Sequence, residues 1–360
     1  MTRVVDLLQY LLEERGSDLL VKVGSPPAIR RNGRLERSGL EPLAPQEIES
    51  LAKEMLTPIK AEEFQRTGET DLAHSVPGLG RFRVNVYRQR GSVSLAIRRV
   101  VPGAPSIEDL GVPRVVADLA DQRDGLVIIS GPAASGKTTT GAAMIDHING
   151  TQPRHIVTIE DPIEVLHPDR VAMVSQREVG ADTIDVVDAL RRVARQDADV
   201  IYISDLMEPD AIAEALTVAA AGCLVIGVMD TLSVIDTIRW IIDRQSPGAQ
   251  EHTRHLLARV LRGIVCQRLI DRADGRGRVV MVESITATQK VRDAIASGAD
   301  AALLERLMSE GDYHGMATAD QALFRLFSDD LITHEEALER ASHPEDFRIA
   351  VQQAGMATLR

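Results

Sequence analysis

The chain has 360 residues, 44% hydrophobic and 26% charged, with 53 acidic against 41 basic side chains and a net charge of −12. At roughly 150 residues per domain this length predicts two domains or three, and the composition excludes wholesale disorder. The excess of acid and an aromatic content of 3% argue against a nucleic-acid binder built on a basic surface or on base stacking. No run approaches the ~18 consecutive apolar residues of a transmembrane helix. The first ten residues carry Arg3 and Asp6 with no small-residue cleavage site after them, which does not suit a secretory signal. Cys223 and Cys266 cannot make a disulfide framework, and neither has a CxxC partner for zinc, so the expected location is cytoplasmic.

Val4, Val5, Leu7, Leu8, Leu11 and Leu12 recur at helical spacing, and Gly16 follows as a stop. Short β-like runs come next at 19–23, 28–30, 81–87 and 92–100, with a helix predicted over 45–56. In the third run Phe82, Val84 and Val86 alternate with Arg81, Arg83, Asn85 and Tyr87, the period of a half-buried strand. Residues 1–100 thus read as a small α+β domain. Residues 101–113 hold Pro102, Gly103, Pro105 and Pro113, a composition that suits a linker or an ordinary surface connection. From Gly125 the pattern changes. Uniformly apolar runs at 126–129, 156–159, 200–203, 224–228 and 279–282 alternate with helical stretches. Such runs suit strands covered on both faces, and helices between them predict βαβ units in a mainly parallel sheet. This second domain is expected over 114–285. A helical region is expected over 286–360, with segments near 290–296, 301–309, 318–327 and 333–341.

One segment carries chemistry on its face. Gly131, Pro132, Ala133, Ala134, Ser135, Gly136, Lys137 and Thr138 fit the phosphate-loop pattern GxxxxGK[ST], after an apolar strand and at the head of a helix. Gly131 and Gly136 let backbone amides turn inward around phosphates, and the helix N-terminus adds positive potential. Lys137 is expected to reach the β- and γ-phosphates and the Thr138 hydroxyl to ligate Mg²⁺, with Thr139 also among the nucleotide-binding residues. A chance match is expected in roughly 1% of chains this long, so ATP and Mg²⁺ are the expected ligands.

With the loop, a wider set of motifs resembles the type IV pilus retraction ATPases, the PilT-like branch of the secretion ATPase superfamily. They are Thr158-Ile159-Glu160-Asp161-Pro162-Ile163-Glu164, Gln176-Arg177-Glu178-Val179-Gly180 and Arg195-Gln196-Asp197-Ala198-Asp199-Val200-Ile201. In the first domain Ser17-Asp18-Leu19 and Arg81-Phe82-Arg83-Val84-Asn85 match, and Gly315-Met316 with Asp320 fits a C-terminal segment of the family. The resemblance covers nearly the whole chain in one order. It implies a PAS-like N-terminal domain joined to a RecA-like motor domain, a hexameric ring that hydrolyses ATP at subunit interfaces, and a pilus platform protein at the inner membrane as partner. It also implies that Glu164 is the carboxylate that polarises the attacking water. A carboxylate on a loop after a central strand lies at the edge where phosphates bind, which agrees, although a solvated loop acid is the alternative. Arg81 and Arg83 are the better candidates among the arginines of the first domain for reaching a neighbouring subunit's phosphates. The alternative is a solvated strand face.

The chain departs from the family pattern at identifiable places. Where the family reads GEMRD, this chain reads Ser204-Asp205-Leu206-Met207-Glu208. Asp205 keeps a carboxylate that can hold Mg²⁺ or its water, one methylene shorter, and it is expected to serve both catalysis and metal binding. Met207 removes a charge. Where the family reads GHLVFGTLHT, both histidines are replaced, by Cys223 and Asp230. An aspartate there adds negative charge near an anionic ligand, which is unfavourable unless a cation intervenes. The family's AIRNL segment becomes Lys290-Val291-Arg292-Asp293-Ala294. Two functions therefore stand side by side: a working retraction motor, and an accessory paralogue that binds ATP, regulates an active pilus or secretion ATPase as a member of its ring, and turns over slowly or not at all.

Overall fold

The computed structural model describes residues 3–31, 33–100 and 103–355. The first two residues of the expected linker and the last five of the expected helical region lie outside these. The chain forms two compact units, Met1–Pro102 with Pro162–Leu166, and Gly103–Asp161 with His167–Arg360.

The first unit runs α1 (Val4–Glu13), β1 (Asp18–Val21), β2 (Ala28–Arg31), β3 (Arg34–Arg37), α2 (Pro45–Met55), α3 (Pro58–Thr67), β4 (Glu69–Val76), β5 (Gly80–Gln89) and β6 (Ser92–Arg99). Its six strands form one antiparallel sheet in the order β3-β2-β1-β6-β5-β4. The alternation in β5 does what its period dictates: Phe82, Val84 and Val86 are buried, while Arg83 is exposed. These three join Leu7, Leu8 and Leu11 of α1 and Ile48, Leu51 and Met55 of α2 in a single core. Each such side chain contributes about 1.5–3 kcal/mol by leaving water. Strand β3 escapes sequence reading because all four of its residues are exposed, which leaves no burial pattern to detect.

The second unit opens with α4 (Val115–Ala120), then β7 (Gly125–Ser130), α5 (Lys137–Thr151), β8 (His155–Glu160), β9 (Met173–Glu178), α6 (Val186–Val193), β10 (Val200–Ile203), α7 (Pro209–Ala220) and β11 (Leu224–Met229). It continues through α8 (Val234–Asp243), α9 (Gln250–Val260), β12 (Leu261–Asp271), β13 (Arg278–Thr286), α10 (Gln289–Ser297), α11 (Ala301–Ser309), α12 (Ala319–Ser328), α13 (His334–Arg340) and α14 (Pro344–Gln353). Its seven-stranded sheet has the order β13-β12-β7-β11-β10-β8-β9, with the β12–β13 pair antiparallel and every other pair parallel. All residues of β7, β10 and β11 are buried, as strands covered on both faces require. The chain leaves β7 for β8 and β9 on one flank, then returns to fill the gap with β10 and β11. The loops after β7, β10 and β11 consequently share the carboxyl edge of the sheet, where open α/β sheets bind ligands.

Helix α5 lies close against β10 because Gly141 has no side chain. A Cβ there would sit 2.6 Å from the Tyr202 ring. At the opposite end, α12, α13 and α14 pack Leu323, Ala337, Phe347 and Val351 onto Ile270 and Met281 of the β12–β13 pair. Helix starts follow ordinary capping: Asp185, Ser233, Thr288, Asp300, Thr318 and Thr333 each accept a backbone N–H of the first turn.

Candidate active site

The phosphate loop follows β7 and hands over to α5 at Gly136 (φ 91°), so the N-terminal amides of α5 open into the loop. Gly131 sits at φ 144°, and a Cβ there would lie 2.2 Å from the Gln267 carbonyl oxygen and 2.7 Å from Ser135 Oγ. No other residue type fits that position. Gln267, at the adjacent position on β12, is itself buried and donates from Nε2 to the Ser135 carbonyl at 2.8 Å, bracing the loop from behind. Ala134 adopts φ 61°, a left-handed conformation that costs a residue with a Cβ on the order of 1 kcal/mol.

Lys137 is only 8% exposed. Its ammonium donates to the carbonyls of Gly131 at 2.9 Å and Pro132 at 2.7 Å, and stands 2.9 Å from Asp230 Oδ1. Asp230 therefore has the cation that sequence reading demanded for it, and that cation is the loop lysine. Ser135 Oγ is buried and has no hydrogen-bond partner among the described residues. A glycine-flanked loop at a helix N-terminus, with a buried lysine and a spare hydroxyl, fits a polyphosphate.

The loops beside it are tied to the same edge. After β10, Ser204 N donates to the Ile159 carbonyl at 3.0 Å, Ser204 Oγ accepts from Asp161 N at 3.1 Å, and Leu206 N donates to the Val228 carbonyl at 2.8 Å. Asp205 sits on this stitched turn. Partial enclosure, and then the nearby Asp230 carboxylate, raise its carboxyl above the usual range. After β11, the Asp230 backbone N–H points to Met207 Sδ at 3.2 Å, while the Met207 carbonyl accepts the Trp240 indole N–H at 3.4 Å. The β11 loop is further joined to β7 through hydroxyls: Thr231 and Thr237 are 2.6 Å apart, and Thr237 donates to Ser130 Oγ at 3.2 Å. Beneath it Glu283 of β13 accepts from Val234 N at 3.1 Å. Burial pushes that carboxyl up to about 7, against the pull of the Val234 N–H and of Arg268. A cavity of about 430 Å³ lies beside this loop, lined by Asp230, Thr231, Trp240 and Arg244, with the Arg244 guanidinium 4.0 Å above the Trp240 ring.

Of the residues expected from sequence, Gly131, Pro132, Ala133, Ala134, Ser135, Gly136, Lys137, Thr138, Thr139 and Asp205 meet at this edge of the second unit. Glu164 is exposed in the segment Pro162–Leu166, which belongs to the first unit. Arg81 and Arg83 also belong to the first unit, where both engage their own sheet: Arg81 donates to Ser75 Oγ at 3.2 Å and Arg83 stands 3.9 Å from Asp71. The strand before Glu164 ends in a second acid, Glu160, which is buried and accepts from Thr158 Oγ1 at 2.6 Å and Gln176 Nε2 at 3.0 Å. Both cysteines behave as packing residues. Burial pushes the Cys266 thiol up to about 12 and also raises Cys223, whose Sγ points to the Ala198 carbonyl at 3.2 Å. Sequence reading missed Gln267 and Glu283. Polar side chains within otherwise apolar strand runs were the available signal.

Residues 91–322 match the type II/IV secretion system protein family. The chain is 35% identical to the type IV pilus retraction ATPase PilT of Pseudomonas aeruginosa over 96% of its length and 99% of that protein. It is 33% identical to the type IV pilus ATPase PilU of the same organism, over 96% of its length and 90% of that protein. The crystal structure of the pilus retraction motor PilT with bound ADP superposes with a TM-score of 0.83 at 35% identity, covering 96% of this chain and 99% of that one. The expected architecture, an α+β N-terminal domain with a RecA-like P-loop domain, is the one observed. The chain belongs to the type II/IV secretion system protein family, within its branch of PilT-like, nucleotide-binding ATPases.

Proposed function

We propose that this protein is an ATP-hydrolysing motor that drives retraction of a type IV pilus or a related filament. The observation that carries the reading is the loop at the end of β7: Gly131 at a position closed to any Cβ, Lys137 buried at its centre and Ser135 Oγ spare within it. In this reading the loop amides and Lys137 bind the α-, β- and γ-phosphates. Thr138 and Asp205 are the groups that would hold a magnesium ion, which supplies charge neutralisation at the transferring phosphoryl group. Glu164 is assigned to orient and polarise the attacking water, and Arg81 and Arg83 to stabilise charge from a neighbouring subunit, both on family resemblance. The same resemblance supports a hexameric ring acting in the cytoplasm on a pilus platform protein of the inner membrane. No helix among the described residues is long and apolar enough to cross a membrane, so contact with the bilayer would run through that partner.

The accessory reading has one observation of its own, the Asp230 carboxylate seated on Lys137. Steady-state phosphate release from purified protein separates the two readings. A motor releases phosphate well above a Lys137→Ala control in the presence of magnesium. Release equal to that control leaves the accessory role.

A further inference from the structure

Lys137 has three N–H donors, and all three are in use: two on the Gly131 and Pro132 carbonyls and the third toward Asp230 Oδ1 at 2.9 Å. An ammonium this buried requires a countercharge, and among the described residues Asp230 is the carboxylate within ion-pair reach. Two of the positions at which the chain departs from the family pattern, Met207 and Asp230, touch each other, the Met207 sulfur facing the Asp230 N–H at 3.2 Å. These two departures and the loop lysine thus form one contact chain. The Asp230 side chain is 62% exposed and borders the cavity of about 430 Å³, so it has room to leave the lysine without unfolding anything.

We infer that Asp230 is an internal anion for Lys137 that occupies the place of a nucleotide phosphate, so that this residue sets the affinity of the loop for nucleotide. The inference rests on the reading of the loop as the nucleotide site. Binding must exchange one anion for another at the same ammonium, and the displaced carboxylate stays close to phosphates of its own sign. Both effects weaken binding relative to a neutral residue at 230. The neutral histidine or asparagine leaves Lys137 without its countercharge until a phosphate supplies one.

The test is calorimetric titration of the 360-residue chain with ADP, with and without magnesium, on the wild type and on Asp230→Asn, Asp230→His, Asp230→Glu and Asp243→Asn. Asp230→Asn and Asp230→His are expected to bind about tenfold more tightly, equivalent to about 1.4 kcal/mol, while Asp230→Glu keeps the charge and stays near wild type. Asp243→Asn removes the same charge from the wall of the same cavity and is expected to leave affinity unchanged. Thermal melts of Asp230→Asn should show a lower midpoint without ADP and a larger upward shift with it. A wild type that binds ADP beside Asp230→Asn and Asp230→His variants of unchanged affinity overturns the inference and leaves the loop assignment intact. Equal tightening in Asp243→Asn also overturns it, since the effect is then bulk charge. A wild type that does not bind ADP overturns the loop assignment, and the inference with it.

Discussion

Two cations, one in each unit, were both expected to meet phosphates, and they stand in opposite surroundings. Lys137 of the second unit is 8% exposed, with every donor committed and a carboxylate at 2.9 Å. Arg83 of the first unit stands on the solvated face of β5, with half-exposed Asp71 at 3.9 Å. A charge taken out of water must be compensated, so its partners reveal what the site is built around. A charge left in water is compensated by water and reveals little by itself. The same contrast separates the sheets. Strands β7, β10 and β11 of the second unit are buried on both faces and converge their loops on one edge, whereas the antiparallel sheet of the first unit packs one face and leaves the other to polar side chains.

The largest expected effect breaks the lysine side of this contrast. Lys137→Ala should abolish detectable nucleotide binding and bring phosphate release to background, while circular dichroism stays native, because the Asp230 partner left behind is mostly exposed. Retained binding would mean that the buried cation serves structure alone. Next comes Glu164→Gln, expected to lower turnover by about 10²–10⁴-fold, the range of a general acid–base group, with nucleotide affinity preserved. Unchanged turnover would return Glu164 to a solvated loop acid.

A third prediction sharpens the account of the buried edge. Glu283 titrates near 4.5 when unfolded and at about 7 when folded, facing Arg268, Asp236, Glu305 and the Val234 N–H. Between those values the folded state holds a proton that the unfolded state lacks, so stability falls as pH rises from about 4.5 to 7 and the penalty is complete above 7. Thermal melts of Glu283→Gln against wild type at pH 5 and pH 8 should differ most at pH 8, where the variant gains on the order of 2 kcal/mol. An equal difference at both pH values would show that Glu283 does not carry this linkage. The smallest effect is on the arginine side: Arg83→Ala should change stability by less than about 1 kcal/mol, as exposed pairs do. If Arg83 serves a neighbouring subunit, the variant loses turnover while the ADP affinity of the dispersed chain is unchanged.

What could be read from sequence follows the same division. The phosphate loop was legible because its eight residues are contiguous and each does a separable job. The strands β7, β10 and β11 were legible because burial on both faces writes an apolar run, and β8 carries one broken only by Thr158. The α1 helix and the alternation in β5 were legible through their periods. The exposed strand β3 has no such signature, and the half-buried edge strand β9 only a weak one. In the site, Asp205 and Asp230 were identifiable as departures from a family pattern. That Asp230 grips Lys137, that Met207 backs Asp230, and that Gln267 closes the space beside Gly131 are contacts between strands distant in sequence, which only the order β12-β7-β11-β10 brings together.

The most direct test is a crystal structure of the wild-type chain with magnesium and a non-hydrolysable ATP analogue. The expected result is phosphates wrapped by residues 131–138, the Lys137 ammonium moved from Asp230 onto the β- and γ-phosphates, and metal density between Thr138 and Asp205. An analogue bound elsewhere, or a Lys137 still held by Asp230 beside a bound triphosphate, would contradict it.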